Sequence, residues 1–144
     1  MTKKSKVLVA MSGGLDSSVT AALLQKQGYD IVGVTFEVLP AEVYRAGENR
    51  FTSQSIQDAK ELAQHCNFPH YTIDLHKIFD ETIIENFVDE YLAGRTPNPC
   101  VICNKIIKFN KLIEIADEFG CDVVATGHYA QIRNENGRYI LSKG

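Results

Sequence analysis

Short apolar runs alternate along this chain with longer stretches in which apolar residues recur every three or four positions. The short runs are not interrupted by regularly spaced polar residues, which is typical of strands buried on both faces of a parallel sheet. They predict strands over residues 7–11, 31–36, 70–75 and 122–126. The longer stretches have one apolar face each and predict helices over about residues 16–27, 55–66, 78–92 and 109–119.

The order of these elements predicts an α/β fold. A strand, a glycine turn, a helix and a second strand follow one another between residues 7 and 36, as in a right-handed βαβ unit. We therefore expect a mainly parallel sheet sandwiched by helices. Residues 129–133 and 138–141 flank the pair Asn136-Gly137, which predicts the tight turn of a hairpin.

Two segments lack a clear period. Residues 37–53 contain a proline, a glycine and several charges, and we interpret them as a long loop, a kind that is often functional. Residues 93–104 are predicted to be irregular, with Pro97 and Pro99 holding an extended backbone.

Several residues with chemical potential stand just past predicted strand ends. Ser12 follows the first strand, the long loop follows Phe36, and Gly127-His128 follow the fourth strand. Ligands of parallel α/β sheets lie beyond the carboxyl ends of the strands. We therefore expect these positions to meet in one crevice.

Composition is that of an ordinary globular domain, with 144 residues, 44% hydrophobic residues, 23% charged residues and a formal net charge of −3. This length is typical of one domain, and the composition excludes a disordered tail and a coiled coil. The negative charge argues against a purely electrostatic nucleic-acid binder. No apolar run approaches the ~20 residues that span a bilayer, and the basic N-terminus lacks a secretory apolar region, so we expect a cytoplasmic protein without membrane association.

The turn after the first strand, residues 12–18, is called the glycine loop here. Its two glycines permit a tight turn, and the amides at the start of the following helix favour an anion. Ser12, Ser17 and Ser18 add hydroxyl donors. The loop lacks the Lys-Ser or Lys-Thr pair of a Walker loop and the spacing of a dinucleotide fingerprint. A simple turn in which Asp16 or Ser17 caps the helix is the alternative, and phosphate binding is the favoured interpretation.

A second motif lies in residues 94–109, called the cysteine segment here. Cys100 and Cys103 have C-x-x-C spacing, and Arg95, Lys105 and Lys108 place positive charge around them. Such cations lower the pKa of a thiol and favour the thiolate. Three interpretations stay open: a zinc or iron–sulfur site that needs further ligands, a redox dithiol, or a catalytic thiol beside a nucleotide site.

The remaining cysteines and most histidines show no such pattern. Cys66 and Cys121 are expected to be small buried residues. His65, His70 and His76 have no ligand spacing and are expected at the surface or in caps.

Both motifs resemble known families. Residues 12–17, Ser-Gly-Gly-Leu-Asp-Ser, resemble the pyrophosphatase-type loop (PP-loop) of the ATP pyrophosphatase superfamily, whose members adenylate a substrate oxygen and release pyrophosphate. Residues 94–109, with 68–71, 90–91 and 125–129, resemble the tRNA 2-thiouridylase family, which places sulfur on the wobble uridine of certain tRNAs. The resemblance spans nearly the whole chain and implies an adenine-nucleotide α-hydrolase-like fold.

Carried over residue by residue, the resemblance implies a nucleotide site, a catalytic thiol and a tRNA contact. The implied ATP-contacting residues are Ala10, Met11, Ser12, Gly13, Gly14, Leu15, Asp16, Ser17, Phe36 and Gly127. The implied contacts to tRNA and its target base are Asn98, Pro99, Cys100 and His128. Cys103 matches the family nucleophile, and Asp16 is a candidate Mg²⁺ ligand, directly or through water. Cys100 is Asp in some members, which argues against its being the nucleophile.

The chemistry implied by the resemblance has two steps. The uridine C2 oxygen attacks the α-phosphate of ATP and pyrophosphate leaves; a sulfur nucleophile then attacks C2 and AMP leaves. The implied partners are tRNAs of the Lys, Glu and Gln type and an upstream persulfide donor such as a cysteine desulfurase or a sulfur-relay protein. An iron–sulfur cluster on Cys100 and Cys103 and a disulfide bond are further possibilities that the resemblance raises.

This sequence also departs from the family pattern. The family's second catalytic cysteine lies beyond Gly144, and its central and C-terminal β domains are absent, so residues 1–144 are expected to be a truncated N-terminal catalytic domain. Phe51-Thr52-Ser53 stand where the family often has Cys-Cys-Ser. We expect this chain alone to bind ATP without thiolating tRNA. The alternatives are another adenylating PP-loop synthetase and a nucleotide-binding module without chemistry.

Overall fold

The computed structural model describes residues 4–39 and 51–144, with the backbone alone at 51–53. The long loop predicted over residues 37–53 falls largely on residues 40–50, which lie outside the described residues. Its last part differs from the prediction, because a helix already begins at Phe51.

In the described part of the chain, four parallel strands form the central sheet. They are β1 Lys6–Ala10, β2 Asp30–Glu37, β3 His70–Asp74 and β4 Val123–Thr126. Their order is β3-β2-β1-β4, with Val7 opposite Ile31 on one side and opposite Val123 on the other. The predicted strands and the parallel sheet are confirmed. The strand order reverses direction between β1 and β4, which is where sheets of this kind bind ligands.

Helical segments connect the strands and cover the sheet. They are α1 Leu15–Lys26, α2 Phe51–His65, α3 His76–Phe79, π1 Asp80–Ile84, α4 Glu85–Leu92, α5 Pro99–Cys103, π2 Asn104–Lys111 and α6 Leu112–Glu118. The single helix predicted over residues 78–92 is therefore α3, π1 and α4 in succession. The π segments have wider turns than an α-helix, a form that often occurs at functional sites.

The sheet is buried on both faces because its strands carry apolar residues in both directions. Val7 and Val9 of β1 pack with Ala21 of α1 and Ala59 of α2 on one face. Leu8, between them in sequence, points to the other face, where it packs among Leu112, Ile115 and Ala116 of α6. Helices on both faces confirm the predicted sandwich.

The two π segments pack against each other in a third apolar cluster. Ile83 of π1 and Ile107 of π2 are buried with Leu75. Ile102 and Cys103 pack against this cluster from α5. The position of Cys103 is therefore set by packing around Ile83 and Ile107.

The prediction of an irregular segment over residues 93–104 is wrong from Pro99 onward. Pro99 is the first residue of α5, and the Asn98 side chain accepts a hydrogen bond from the Val101 amide at 3.4 Å. Proline is well suited to the first helical position because its fixed φ is helical and its missing N–H would have no intrahelical partner. Pro97 stays outside the helix, and the helical path runs from Pro99 to the end of α6.

The predicted hairpin is confirmed as β5 Ala130–Glu135 and β6 Arg138–Lys143. Asn136 and Gly137 form its turn with φ values of 53° and 81°, which a type I′ turn requires. Among the described residues, no helix is both long enough and apolar enough to cross a membrane.

Candidate functional site

The carboxyl ends of three strands open into one cavity of about 440 Å³, called the central cavity here. Its polar and ionisable lining comes from Ser12, Ser17, Thr35, Ser55, Cys103, Lys108, Thr126 and His128. Its remaining lining comes from Ala10, Met11, Val34, Phe36, Val38, Ile56, Ile107, Phe109 and Gly127. Ser12, Gly127 and His128 therefore meet at one crevice as expected, and Val38 is the residue that the described part of the long loop adds to it. The volume lies within the range of small-molecule sites.

The glycine loop is held in shape by its own hydroxyl groups. Ser17 is buried, its Oγ accepts from the Ser12 amide at 3.2 Å, and it donates to the Gly14 carbonyl at 3.1 Å. Ser18 Oγ donates to the same carbonyl at 2.8 Å. Gly14 is the N-cap residue of α1 and no side chain caps the helix, so the alternative of a cap by Asp16 or Ser17 is wrong. The first-turn amides of α1 have no intrahelical acceptor, so they can bind an anion.

Two glycines let other elements approach the glycine loop closely. Gly13 has φ of +75°, and a Cβ there would lie 2.1 Å from the Ser55 carbonyl oxygen of α2. A Cβ on Gly127 would lie 2.6 Å from the Ser17 nitrogen. A side chain at either glycine would clash with backbone atoms. The glycine loop therefore packs closely against both α2 and the end of β4.

Cys103 of α5 also lines the central cavity. Its side chain is half-buried, whereas Cys100 is exposed and outside the cavity lining. Burial raises the pKa of the Cys103 thiol; Lys108 opposes this rise and Cys100 adds to it. Lys108 thus lowers the pKa as expected of a nearby cation, but the effect of burial is larger and the net shift is away from the thiolate. Arg95 is not among the charges that shift the Cys103 pKa, and its guanidinium pairs with Glu90 at 2.6 and 2.7 Å.

His128 and Phe109 lie together at the rim of the central cavity. Their rings stack with centroids 6.3 Å apart and an interplanar angle of 29°. His128 Nδ1 is 2.7 Å from Thr126 Oγ1, which orients the imidazole. Thr126 and Phe109 were not among the site residues expected from the sequence, and Lys108 was expected only as a charge near the cysteines; all three line the cavity.

Other expected site residues lie away from the central cavity. Leu15 and Asp16 line a second cavity of about 400 Å³, called the hairpin cavity here, between α1 and the hairpin. Gly127 and His128 line both cavities. Gly13 and Gly14 line neither, although they shape the loop. Asn98, Pro99 and Cys100 also line neither and lie at the start of α5, the helix that carries Cys103.

Thr35 is a buried polar residue that the sequence did not single out. Its hydroxyl donates to the Met11 carbonyl at 2.7 Å and lies 2.8 Å from His70 Nε2. The expectation that His70 is a surface or capping residue is therefore wrong. His76 also departs from it in part: its Nδ1 is 3.1 Å from an Asp74 carboxylate oxygen, while its Nε2 is buried without a partner among the described residues.

The donor groups present decide which metals this part of the chain can hold. All four cysteines, which lie in the described part, are free thiols, so no disulfide links residues of this chain. Among the described residues, no three His, Cys, Asp or Glu side chains form a metal-binding group. An iron–sulfur cluster normally needs four ligands, so Cys100 and Cys103 do not fit one by themselves. A single carboxylate such as Asp16 fits Mg²⁺, which binds protein through few carboxylates when phosphates complete its shell.

Sequence comparison identifies a family and several relatives of this chain. The family described as tRNA methyl transferase HUP domain matches residues 5–144. Proteins named tRNA-specific 2-thiouridylase MnmA from Amoebophilus asiaticus and Cytophaga hutchinsonii are 52% and 48% identical over 99% and 100% of this chain. A third from Halothermothrix orenii is 52% identical over 96% of it. This chain spans 39%, 40% and 39% of those three relatives.

Two solved structures share the fold. One is described as a predicted subunit of tRNA methyltransferase from Methanocaldococcus jannaschii, with a TM-score of 0.55, 22% identity, and coverage of 92% of this chain and 55% of that one. The other is NMN synthetase from Francisella tularensis, with a TM-score of 0.55, 23% identity, and coverage of 87% and 46%. At these identities the likeness concerns the α/β architecture alone.

Proposed function

This chain belongs to the tRNA methyl transferase HUP domain family, and from that membership we propose that it is the nucleotide-binding catalytic domain of an ATP-dependent tRNA 2-thiouridylase. The relatives that carry the 2-thiouridylase name bear out the resemblance seen in the glycine loop and the cysteine segment. Because the chain spans about two fifths of those relatives, the activity is proposed for the protein to which this domain contributes.

The observation that carries the proposal is the shared lining of the central cavity. Ser12 and Ser17 of the glycine loop and Cys103 of α5 all line this one cavity. A nucleotide whose phosphates lie on the amides of α1 would therefore share this cavity with the thiol. Holding two reactants in one cavity is itself a large part of catalysis.

Within this cavity, the proposed first step is adenylation of the tRNA. The uridine C2 oxygen attacks the α-phosphate of ATP, and the pyrophosphate group leaves. The glycine loop would hold the phosphates, Phe36 would contact adenine and Gly127 would allow close approach at the end of β4. Asp16, in the first turn of α1 but on the side of the hairpin cavity, would hold Mg²⁺ directly or through water and so neutralise phosphate charge.

The proposed second step is sulfur transfer. A persulfide sulfur attacks C2 of the adenylated uridine, and AMP leaves with its electron pair on oxygen. The Cys103 thiolate then attacks the inner sulfur of the persulfide and breaks its S–S bond, so the outer sulfur stays on C2. The disulfide formed between Cys103 and the persulfide-bearing cysteine is reduced by an external thiol. The sulfur would come from a cysteine of the longer protein that is charged by a persulfide donor. Because burial raises the pKa of Cys103 in the free protein, we propose that binding of tRNA or a proton acceptor activates the thiol.

The cysteine segment is the proposed tRNA contact. Asn98, Pro99 and Cys100 are solvent-accessible at the start of α5, and Lys105 and Lys108 are exposed beyond them. His128 lies at the rim with an exposed ring. Lysines can bind RNA phosphates and aromatic rings can stack on splayed bases. We propose wobble uridines of Lys-, Glu- and Gln-type tRNAs as targets, and the cytoplasm as the location.

Mass spectrometry of wobble nucleosides tests this proposal. In cells that lack the gene, wobble 2-thiouridine is expected to disappear and to return with the intact gene. The gene carrying Cys103→Ala should fail to restore it, while Cys66→Ala, which removes a thiol outside the central cavity, should succeed. Undiminished 2-thiouridine in the deletion strain would refute the function. Calorimetric titration of this chain with ATP tests the nucleotide site separately.

A further inference from the structure

A chain of three groups connects β3 to the start of the glycine loop. Thr35 is 6% exposed, and its Oγ1 lies 2.7 Å from the Met11 carbonyl oxygen and 2.8 Å from His70 Nε2. A carbonyl oxygen only accepts, so the single hydroxyl proton of Thr35 must point to Met11. The imidazole must then donate to Thr35, which assigns the proton of His70 to Nε2.

The other ring nitrogen of His70 is consistent with a neutral imidazole. His70 Nδ1 is buried and has no partner among the described residues. Protonation there would bury an unpaired charged donor, which is costly. Burial, with a smaller effect of the Lys60 charge, lowers the pKa of His70. At neutral pH the ring is thus a fixed donor directed at Thr35.

Met11 is the residue on which this chain of hydrogen bonds ends. It follows β1 and precedes Ser12, and its side chain lines the central cavity. Its amide donates to the Val34 carbonyl at 2.8 Å, so both backbone polar groups of Met11 are tied to β2. A Cβ on Gly33 would lie 2.7 Å from Met11 Sδ and 3.0 Å from His70 Cδ2, so the three residues are tightly packed.

We propose that His70 is a positioning residue that acts through Thr35 to hold the Met11–Ser12 peptide and thereby the glycine loop. Ser12 presents its amide to Ser17 Oγ at 3.2 Å only if this peptide keeps its orientation. Without the Thr35 hydrogen bond, the Met11 carbonyl loses this partner, and the Ser12 amide on Ser17 Oγ is left to hold the peptide. The part of this inference that concerns ATP rests on the proposed function, whereas the part that concerns loop order does not.

Two matched pairs of variants test the proposal in this chain. Thr35→Val removes the hydroxyl at nearly constant shape, and Thr35→Ser keeps it. His70→Leu removes the donor, and His70→Gln places an amide N–H near the position of Nε2. Circular dichroism identifies the variants that fold, and the second pair decides the question if Thr35→Val does not fold.

Amide hydrogen exchange of Ser12, Gly13 and Gly14 in the free chain is the first readout. Thr35→Val and His70→Leu should speed exchange about tenfold, as expected for loss of about 1.4 kcal/mol, with Thr35→Ser and His70→Gln near the wild-type rate. Amides of the hairpin should not change in any variant. Equal loop exchange in folded Thr35→Val and Thr35→Ser chains would overturn the proposal.

Calorimetric ATP affinity is the second readout. The same two disruptive variants should bind ATP about tenfold more weakly at a temperature where all variants are folded, and the conservative variants should restore affinity. If the wild-type chain binds no ATP, the proposed nucleotide site fails while hydrogen exchange still decides the positioning role. If the wild type binds and the disruptive variants bind equally well, the positioning role fails alone.

Discussion

Gly127 at the end of β4 packs directly against Ser17 in the first turn of α1, where a Cβ would lie 2.6 Å from the Ser17 nitrogen. These two residues are separated by most of the chain, yet they bring together the two sides of the proposed nucleotide site. The contact is between backbones, so it cannot be relieved by rotation of a side chain. Its consequences for binding can be measured.

Gly127→Ala should damage both stability and ATP binding. The added methyl group forces β4 away from α1, which we expect to cost about 1–3 kcal/mol in the free energy of unfolding. Displacement of the α1 amides should lower the affinity for ATP at least about tenfold. Thermal unfolding and calorimetric titration measure the two effects. Gly144→Ala is the control, because the nearest atoms to its Cβ all belong to the exposed Tyr129, the closest a ring carbon at 3.2 Å. Equal affinities for the two variants would contradict the prediction.

Alkylation of Cys103 should depend on pH in a way set by Lys108. Because burial raises the pKa of Cys103, its thiolate fraction is low at neutral pH and rises only as the pH approaches that raised value. Lys108→Gln removes the opposing charge and should move the midpoint of the iodoacetamide rate profile to higher pH. Lys105→Gln is the control, and mass spectrometry separates Cys103 from the other cysteines. An unchanged midpoint in Lys108→Gln would rule out this electrostatic role.

The cap on α5 should matter for the helix that carries Cys103. Asn98→Ala removes the acceptor for the Val101 amide and should lower the free energy of unfolding by about 0.5–2 kcal/mol. Asn98→Asp keeps an acceptor and should preserve stability. Denaturant unfolding of both variants measures the difference. If Asn98→Ala is as stable as Asn98→Asp, the cap contributes nothing, and the residue is then free to serve tRNA contact alone.

Magnesium should strengthen ATP binding through Asp16. Chelation of Mg²⁺ should lower the ATP affinity of the wild-type chain by about tenfold, because less of the phosphate charge is then neutralised. In Asp16→Asn the affinity should be low both with and without the metal. Asp30→Asn, at the start of β2 and away from both cavities, should behave as the wild type. Full magnesium dependence in Asp16→Asn would exclude this residue as a ligand.

Much of the architecture could be predicted from local patterns. Val7, Leu8 and Val9 are consecutive apolar residues, and the side chains of such a strand are all buried only if both faces of the sheet are covered. The turn at Asn136-Gly137 was predictable because few residues adopt positive φ without strain. The prediction at Pro99 was wrong because proline can either interrupt a helix or begin one. Only the cap by Asn98 and the packing of the residues that follow distinguish the two cases.

The site was predictable in its composition and much less in its geometry. The glycine loop and Cys103 carry recognisable motifs, but nothing in the spacing of residues 12 and 103 shows that they face one cavity. Thr35 and His70 carry no motif, since their role depends on a contact between β2 and β3. Binding of ATP, Mg²⁺ and tRNA stays a prediction.

The amino-acid sequence by itself determined the strands, the parallel sheet, the hairpin and the family, because burial periodicity and turn chemistry act over a few neighbouring residues. Only the tertiary structure decided which charges act on the thiol: Arg95 is engaged by Glu90, Lys108 reaches the cavity, and burial raises the pKa of Cys103 in spite of it. Removal of water around a group depends on every element packed against it, and a linear pattern of residues does not contain that information.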